Sequence, residues 1–375
     1  MSKIRLGVVG LGHRGRHMFS LAAENFDNVV GVAACDLNEE FWTKPQTFPV
    51  AEKLSMRERF PAVAFHTDFG KMLDEAKLDA ILVETPADIH AEFCAKALAR
   101  GIHVLSDVPF AASLADAALL WGTAAKSKAL FMAGANPNEW GFIEALVDLH
   151  KQGLLGKPYY LEAEYIHDVR EYYKHTPWRA AGRMPITYCT HSLGPLLRIL
   201  DEDLRRVSCV STGSQIEPES AVSFHDHMTA QFTTESNVVV RLAISGRNNA
   251  RIGAHAYRVF GTEGYFERFS GRGKIPAATF FNSNKLYGAT QLTELPVDTQ
   301  RSEFGALAGL GHGGADYALC RRFFRAFAGE GEAITLREGL RMSLPGIFAA
   351  ESSRRGGEMM TINYPWESGF KTTME

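Results

Sequence analysis

Gly10-Leu11-Gly12-His13-Arg14-Gly15 has the glycine spacing that brings a backbone turn against a pyrophosphate. It directly follows the apolar run from Ile4 to Val9 and opens a helical pattern, and Asp36 ends the next apolar run 21 residues after Gly15. Gly10 permits the tight turn, Gly12 lets the phosphates approach the backbone, and Gly15 lets helix and strand pack closely. The helix start supplies free N–H groups and partial positive charge. Asp36 in that place accepts from both ribose hydroxyls and repels a 2'-phosphate, which favours NAD over NADP, although Arg14 offers such a phosphate a partner. A glycine turn that binds no nucleotide is the alternative.

A second group stands where later strands should end. Glu84-Thr85-Pro86 closes one apolar run, His90 begins the next helical pattern, and Ser106-Asp107-Val108-Pro109 closes the following run. Ligands of doubly wound sheets lie at these carboxyl ends, so Thr85, Pro86, His90 and Asp107 are expected to line the nicotinamide half. Helix capping or a surface position would explain Thr85 and His90 equally well. Farther on, Tyr188 and His191 are three apart and share a face if the segment to Leu200 is helical, with Leu193, Leu196, Leu197 and Leu200 as its apolar stripe. A tyrosine beside a histidine makes an acid/base pair; a core histidine with an ordinary hydrogen bond is the alternative. Pro195 has no N–H for the carbonyl of His191, so the helix should loosen there. His225 and His227, two apart on a strand, could chelate a metal, but Asp226 points to the opposite face and no cysteine stands at ligand spacing. A partly exposed strand without metal is expected.

These residues need elements to hold them. Over the first 130 or so residues, short β-branched runs (Ile4 to Val9, Val29 to Ala34, Asp79 to Val83, His103 to Leu105, Leu130 to Met132) alternate with helical patterns such as His90 to Ala99 and Leu114 to Ala125. Such alternation implies right-handed crossovers and a parallel sheet covered on both faces, a doubly wound α/β domain of the Rossmann type over residues 1–135. After Asn136 the rhythm changes. A helix from about Glu139 to Lys151 precedes long extended segments, Pro158 to His167, Ser223 to Phe232 and Val238 to Ser245. Strands without helical crossovers indicate an α+β domain with a large, mostly antiparallel sheet over residues 136–375. The stretch from Gly271 to Gly314 reads as loop with one or two short strands, and helical patterns return at Tyr317 to Phe327 and Leu336 to Ser353, both expected in the second domain.

Composition narrows the partners. The chain has 375 residues, 46% apolar and 22% charged, and its formal charge of -3 gives no bulk attraction to nucleic acid or an anionic membrane. No run of about 18 apolar residues is present to span a bilayer. Cys35, Cys94, Cys189, Cys209 and Cys320 are odd in number with no C-x-x-C pair, which argues against a disulfide framework or a zinc ribbon. The apolar start from Ile4 to Leu11 is broken by Arg5 and ends in glycines rather than a cleavage site, so a reduced, cytoplasmic location is expected.

The glycine motif, Thr85 to His90 as Thr-Pro-x-x-x-His, Gly101 to Val104 and the strand-rich second half together resemble the glucose-fructose oxidoreductase / inositol dehydrogenase family (Gfo/Idh/MocA) over essentially the whole chain. That family typically continues with Glu-Lys-Pro, whose lysine positions substrate and shuttles a proton; here the triplet is Asp107-Val108-Pro109. Family dehydrogenases also tend to carry an aspartate four residues before the histidine of a second-domain helix, where this chain has Thr187 before His191. A narrower resemblance accounts for both departures. The NAD-dependent glycosidases of glycoside hydrolase family 109 are similar at Tyr165 to Arg170, at Trp178-Arg179, at Tyr188 to Pro195 and at Gly311 to Asp316, and carry a valine in the Glu-Lys-Pro position. One difference is Asn138-Glu139-Trp140, where that branch commonly has an aromatic hydroxyl.

What the resemblance implies is hydrolysis through transient oxidation: hydride passes from sugar carbon 3 to NAD with His191 as base, a second base such as Tyr188 removes the carbon 2 proton, and the aglycone leaves. Water then adds and the hydride returns, a recognised exception to two-carboxylate glycosidases. The substrate would be an N-acetylgalactosaminide or a related glycoside, held by Asp107, Tyr165, His167, Asp168, Arg170, Trp178, Arg179 and His312. Trp178 offers a sugar ring an apolar face, and the arginines can hold hydroxyls, a carbonyl or an anionic substituent. Each has a structural alternative, Asp168 with Arg170 as a local ion pair and Trp178 as core. A sugar or cyclitol dehydrogenase, or an NAD-binding sensor without activity, are the competing functions. A homo-oligomer, dimer or tetramer, is expected from the resemblance.

Overall fold

Strand β1 (Ile4–Val9) is buried at every position but Arg5, the pattern of a strand covered on both faces. It pairs in parallel with β2 (Val29–Cys35) and β4 (Ala80–Val83), and β3 (Ala64–His66), β5 (His103–Ser106) and β6 (Phe131–Ala133) complete a sheet of order β3-β2-β1-β4-β5-β6. This is the doubly wound Rossmann order with its switch point beside β1. The computed structural model describes residues 3–179, 184–219, 225–250, 253–286, 288 and 290–374. Register aligns the strand ends. Val9 pairs with Cys35 and Val83, and Val83 with Ser106, so Gly10, Asp36, Glu84 and Asp107 all leave the sheet along one edge.

The chain divides into two compact units, one of Met1–Gly134 with Leu319–Arg337 and one of Ala135–Ala318 with Glu338–Glu375. Leu319–Arg337, expected in the second domain, therefore belongs to the first. Aromatic packing is the reason. Phe324 meets Phe26 edge-on at 5.0 Å, Phe327 lies 4.6 Å from the ring of His103, and the Ala133 N–H donates to the Ile334 carbonyl at 2.9 Å.

In the second unit nine strands form one sheet: β7 (Pro158–Ile166), β8 (Arg206–Ser211), β9 (His227–Thr233), β10 (Val239–Ser245), β11 (Ala254–Gly261), β12 (Gly264–Phe269), β13 (Ala278–Ser283), β14 (Thr293–Leu295) and β15 (Met360–Thr361). The order is β14-β13-β12-β11-β7-β10-β9-β8-β15, antiparallel throughout except for β7 with β10. Alternation sorts the two faces. Glu162, Arg241 and Arg258 lie on the outer face, where Glu162 accepts from Arg241 Nε at 2.7 Å and pairs with Arg258 Nη2 at 2.6 Å. Leu161, Ala163, Leu242, Ile244, Tyr257 and Val259 form the inner face, against which the helix Thr190–Leu197 packs. The expected strand from Ser223 begins at His227, and Ser223 and Phe224 lie outside the described residues. The sequence patterns predict no strand at β3, β8, β11, β12 or β15.

Candidate functional site

The three glycines of the first turn have three different surroundings. Gly10 has φ +89°, and a Cβ there would come within 2.6 Å of the Glu84 backbone. A Cβ on Gly15 would fall 1.8 Å from the Gly10 carbonyl, so this glycine serves packing. At Gly12 a Cβ would meet nothing within 4 Å, and this open side is where a phosphate can reach the backbone. The helix that follows, His13–Asn25, has Gly12 as its N-cap, no side-chain cap and no acidic residue in its first turn. A pyrophosphate fits this turn without displacing any side chain.

Asp36 Oδ2 accepts from the Leu11 N–H at 2.6 Å and Oδ1 from the Asn38 N–H at 2.8 Å, which ties the end of β2 to the glycine turn. Arg14 turns toward Asp107, with Nε 3.3 Å from Oδ2. His13 Nδ1 lies 3.3 Å from Gln46 Oε1. Thr85 is buried, and its hydroxyl has no hydrogen-bond partner among the described residues, an orphaned polar atom at the carboxyl end of β4. Next to it Pro86 begins the turn whose carbonyl accepts from the Ile89 N–H. His90 is buried with Nε2 beside the Thr85 carbonyl and Nδ1 3.2 Å from the Asp107 carbonyl, so it braces the loops after β4 and β5.

The second unit gathers a different set. Tyr188 ends the short 3-10 turn Pro185–Tyr188 and His191 lies in the first turn of Thr190–Leu197, with Tyr188 Oη 3.1 Å from His191 Nε2. That helix stops three residues before Leu200. The other ring nitrogen of His191 lies 3.4 Å from Thr190 Oγ1, and the Thr187 hydroxyl donates to the Met184 carbonyl at 2.8 Å. Pro195 leaves the His191 carbonyl without its helical donor, and the Tyr257 hydroxyl from β11 donates to it at 2.7 Å. That bond spares a buried carbonyl whose desolvation unpaired would cost about 1–3 kcal/mol, and it anchors the catalytic candidate to the sheet.

Around this pair stand the rings at one end of the inner face. Tyr165 meets Tyr188 edge-on at 5.5 Å, His191 at 5.8 Å and His255 at 5.0 Å, and lies 4.3 Å from His167. Burial pushes the Tyr165 hydroxyl up to about 12, so it remains a protonated donor at neutral pH. His167 Nε2 lies 3.0 Å from His255 Nε2. The Trp140 indole donates to the His312 carbonyl at 3.0 Å and packs edge-on against His255 at 4.8 Å. His312, at φ +45° within a run of left-handed glycines, sets Nδ1 2.8 Å from Oδ2 of the buried Asp316, whose Oδ1 accepts from Asn136 Nδ2 at 2.9 Å.

Tyr165, His167, Tyr188, His191 and His312 are thus gathered with an unexpected member, His255. It pairs directly with Tyr165 across β7 and β11. The alternation of His255, Tyr257 and Val259 with Ala256, Arg258 and Phe260 is the signal that reveals it. Asp168 and Arg170 form the local ion pair of the alternative reading, with Nε to Oδ1 at 2.8 Å, and Arg170 Nη2 also donates to the Asn248 carbonyl at 3.2 Å and to Asn249 Oδ1 at 3.0 Å. Trp178 carries the Arg179 guanidinium 4.5 Å from its ring centre, a face taken by a cation from its own chain. His225 precedes β9 and bonds Ser211 through Nδ1, so the two histidines do not share one strand, and no group of three metal-ligating side chains occurs among the described residues.

A six-stranded parallel sheet with an open glycine turn, and a second unit with a large mixed sheet, define a two-part NAD-binding oxidoreductase fold. A model for the oxidoreductase family with an NAD-binding Rossmann fold matches residues 4–135 and one for the GFO/IDH/MocA C-terminal domain matches 143–267. The chain belongs to the Gfo/Idh/MocA family, and NAD is its cofactor. It is similar to glycosyl hydrolase family 109 protein 1 of Akkermansia muciniphila, 29% identical over 54% of this chain and 43% of that one. An alpha-N-acetylgalactosaminidase of Shewanella oneidensis is 28% identical over 54% of this chain and 45% of its own length. In these matches the chain spans about half the length of the curated relatives. Glycosyl hydrolase family 109 protein 2 of Akkermansia muciniphila matches over 100% of this chain and 85% of its own, at 25% identity. Among solved structures, an oxidoreductase from Agrobacterium radiobacter in complex with NAD+, L-tartaric acid and magnesium superposes with TM-score 0.78 at 15% identity, covering 96% of this chain and 98% of that one. The scyllo-inositol dehydrogenase of Lactobacillus casei with bound NAD(H) and scyllo-inositol gives 0.74 at 16%, covering 96% and 99%. At such identity these structures bear on fold alone.

Proposed function

We propose that the protein is an NAD-dependent glycoside hydrolase that acts through transient oxidation of its sugar, with an N-acetylgalactosaminide or a related glycoside as substrate. The observation that carries this is the Tyr188–His191 pair, 3.1 Å between Oη and Nε2, set in a cluster of aromatic and imidazole rings. Bound NAD supplies a reversible acceptor for the hydrogen on sugar carbon 3, which acidifies carbon 2. The glycine turn, Asp36 and the helix start at His13 hold its phosphates and ribose, and Thr85, Pro86, His90 and Asp107 shape the strand ends that meet its nicotinamide. His191 Nε2 takes the proton of the carbon 3 hydroxyl and releases it to solvent; Tyr188 then hands its own proton to the freed Nε2 and takes the carbon 2 proton as the aglycone leaves carbon 1 with the bonding pair. Tyr165 and His167 orient sugar hydroxyls, with His312 at the cluster's edge. Asp168, Arg170, Trp178 and Arg179 act on the substrate through the surface they hold in place. The names of the relatives support hydrolysis over net oxidation, as does Val108 in place of a lysine.

The test uses aryl glycosides with catalytic NAD in deuterated water. Aglycone release without net NADH, and deuterium at carbon 2 of the freed sugar, are expected. Stoichiometric NADH without aglycone would instead establish a sugar or cyclitol dehydrogenase, and NAD binding without any turnover a sensor.

A further inference from the structure

His255 stands at the centre of the ring cluster without a role in the proposed reaction. Three rings hold it: Trp140 edge-on at 4.8 Å, Tyr165 edge-on at 5.0 Å, and His191 stacked at 6.3 Å with 29° between planes. A fourth, His167, faces it nitrogen to nitrogen at 3.0 Å, and His167 is itself backed by Gly253, where a Cβ would come within 3.3 Å of the imidazole. At that separation a single proton lies between the two Nε2 atoms, so one ring donates and the other accepts. The second nitrogen of His255, Nδ1, is sealed from solvent and has no hydrogen-bond partner among the described residues.

That sealed atom decides the direction. If His255 accepted at Nε2, a neutral ring would carry its proton on Nδ1, an N–H buried with nothing to receive it. If His255 donates at Nε2, Nδ1 is a bare lone pair, and buried acceptors left unpaired are commoner than buried N–H groups left unpaired. We infer that His255 is a positioning residue whose Nε2–H donates to His167 Nε2, which fixes the His167 proton on Nδ1 and makes that ring a hydrogen-bond donor to the sugar rather than a base. The last clause rests on the glycosidase reading; the tautomer does not. The titratable groups that face the pair are Tyr165 from β7, His191 from the helix Thr190–Leu197, and His312 from the glycine loop, with Tyr188 one contact away behind Tyr165 and His191. Burial, with the like charges of His167 and His312, pushes His255 down to about 3, and burial lowers His167 as well, so the pair stays uncharged at neutral pH. Proton removal is thereby left to the Tyr188–His191 pair, and His167 is reserved for holding an oxygen of the substrate.

The experiment is nitrogen-15 NMR of the histidine-labelled full chain loaded with NAD, with resonances assigned through His167→Gln and His255→Asn. Nδ1–H on His167 and Nε2–H on His255 are expected, and the opposite pattern overturns the inference. Kinetics with 4-nitrophenyl N-acetyl-α-galactosaminide give the second readout. His255→Leu should raise KM about tenfold with a smaller change in kcat, and His255→Gln, whose amide nitrogen falls where Nε2 stood and can donate to His167, should return KM to within about twofold, the scale of one hydrogen bond. An unchanged KM in His255→Leu overturns the positioning role. Absence of turnover by the unaltered protein would reject the glycosidase reading, while the NMR pattern still decides the tautomer.

Discussion

At the scale of single residues, two histidines a few ångströms apart do different work because different groups face them. His191 shares a proton with a tyrosine hydroxyl, whereas His255 is enclosed by rings and turns one nitrogen to nothing. The enclosure has a measurable consequence. An unfolded chain protonates this side chain near the ordinary value of about 6.5, but the folded one only near 3. Between those values unfolding takes up a proton, so stability increases with pH across the window and is lost as pH falls through it. While the folded ring stays neutral, the loss approaches about 1.4 kcal/mol per pH unit. Denaturant titrations from pH 7 to pH 4 should therefore show a shallower acid decline for His255→Leu than for the unaltered protein, by close to one proton. Equal slopes would mean that the folded ring protonates normally.

Elements set what each glycine and proline is for. The turn after β1 looks like one motif in the sequence, yet Gly15 is pressed against the Gly10 carbonyl while Gly12 opens to empty space. Gly12→Ala should keep the melting temperature within a degree or two and weaken NAD binding by tenfold or so, because its methyl group stands where phosphate approaches. Gly15→Ala should lower the melting temperature by several degrees, as overpacking costs about 1–3 kcal/mol. Calorimetry with and without NAD separates the two, and a stability loss at Gly12 matching that at Gly15 would contradict the assignment. The break at Pro195 works likewise. It was legible from composition, but its repair by Tyr257 was not, since the donor comes from a strand 62 residues farther along.

Over the whole molecule, five cysteines and a near-neutral charge point to chemistry carried by cofactor and rings rather than by thiols or a charged surface. All five thiols are free and buried, and burial holds Cys35, Cys94, Cys189 and Cys209 up at about 12. A thiol reagent at pH 8 should label the native protein slowly and take up five equivalents once it is denatured. Rapid labelling of any one would show that its cover opens. The first unit also draws Leu319–Arg337 from far along the chain. Aromatic residues at helical spacing announce that segment as amphipathic, but not which sheet it covers.

Local order was legible because it follows from short-range spacing. The parallel strands, the glycine turn with Asp36, and the Tyr188–His191 pair each depend on residues near one another in sequence or on one strict alternation. Strands β8, β11 and β12 escaped because a half-buried strand mixes polar and apolar residues, and its partner, not its composition, makes it a strand. Only tertiary structure decided that Arg14 would turn to Asp107, that Asp168 and Arg170 would satisfy each other, and that His255 would face His167. Each is a choice among several possible partners; sheet register places His255 opposite Tyr165 and so beside His167, whereas the other two are made by loops and helix starts at the strand ends.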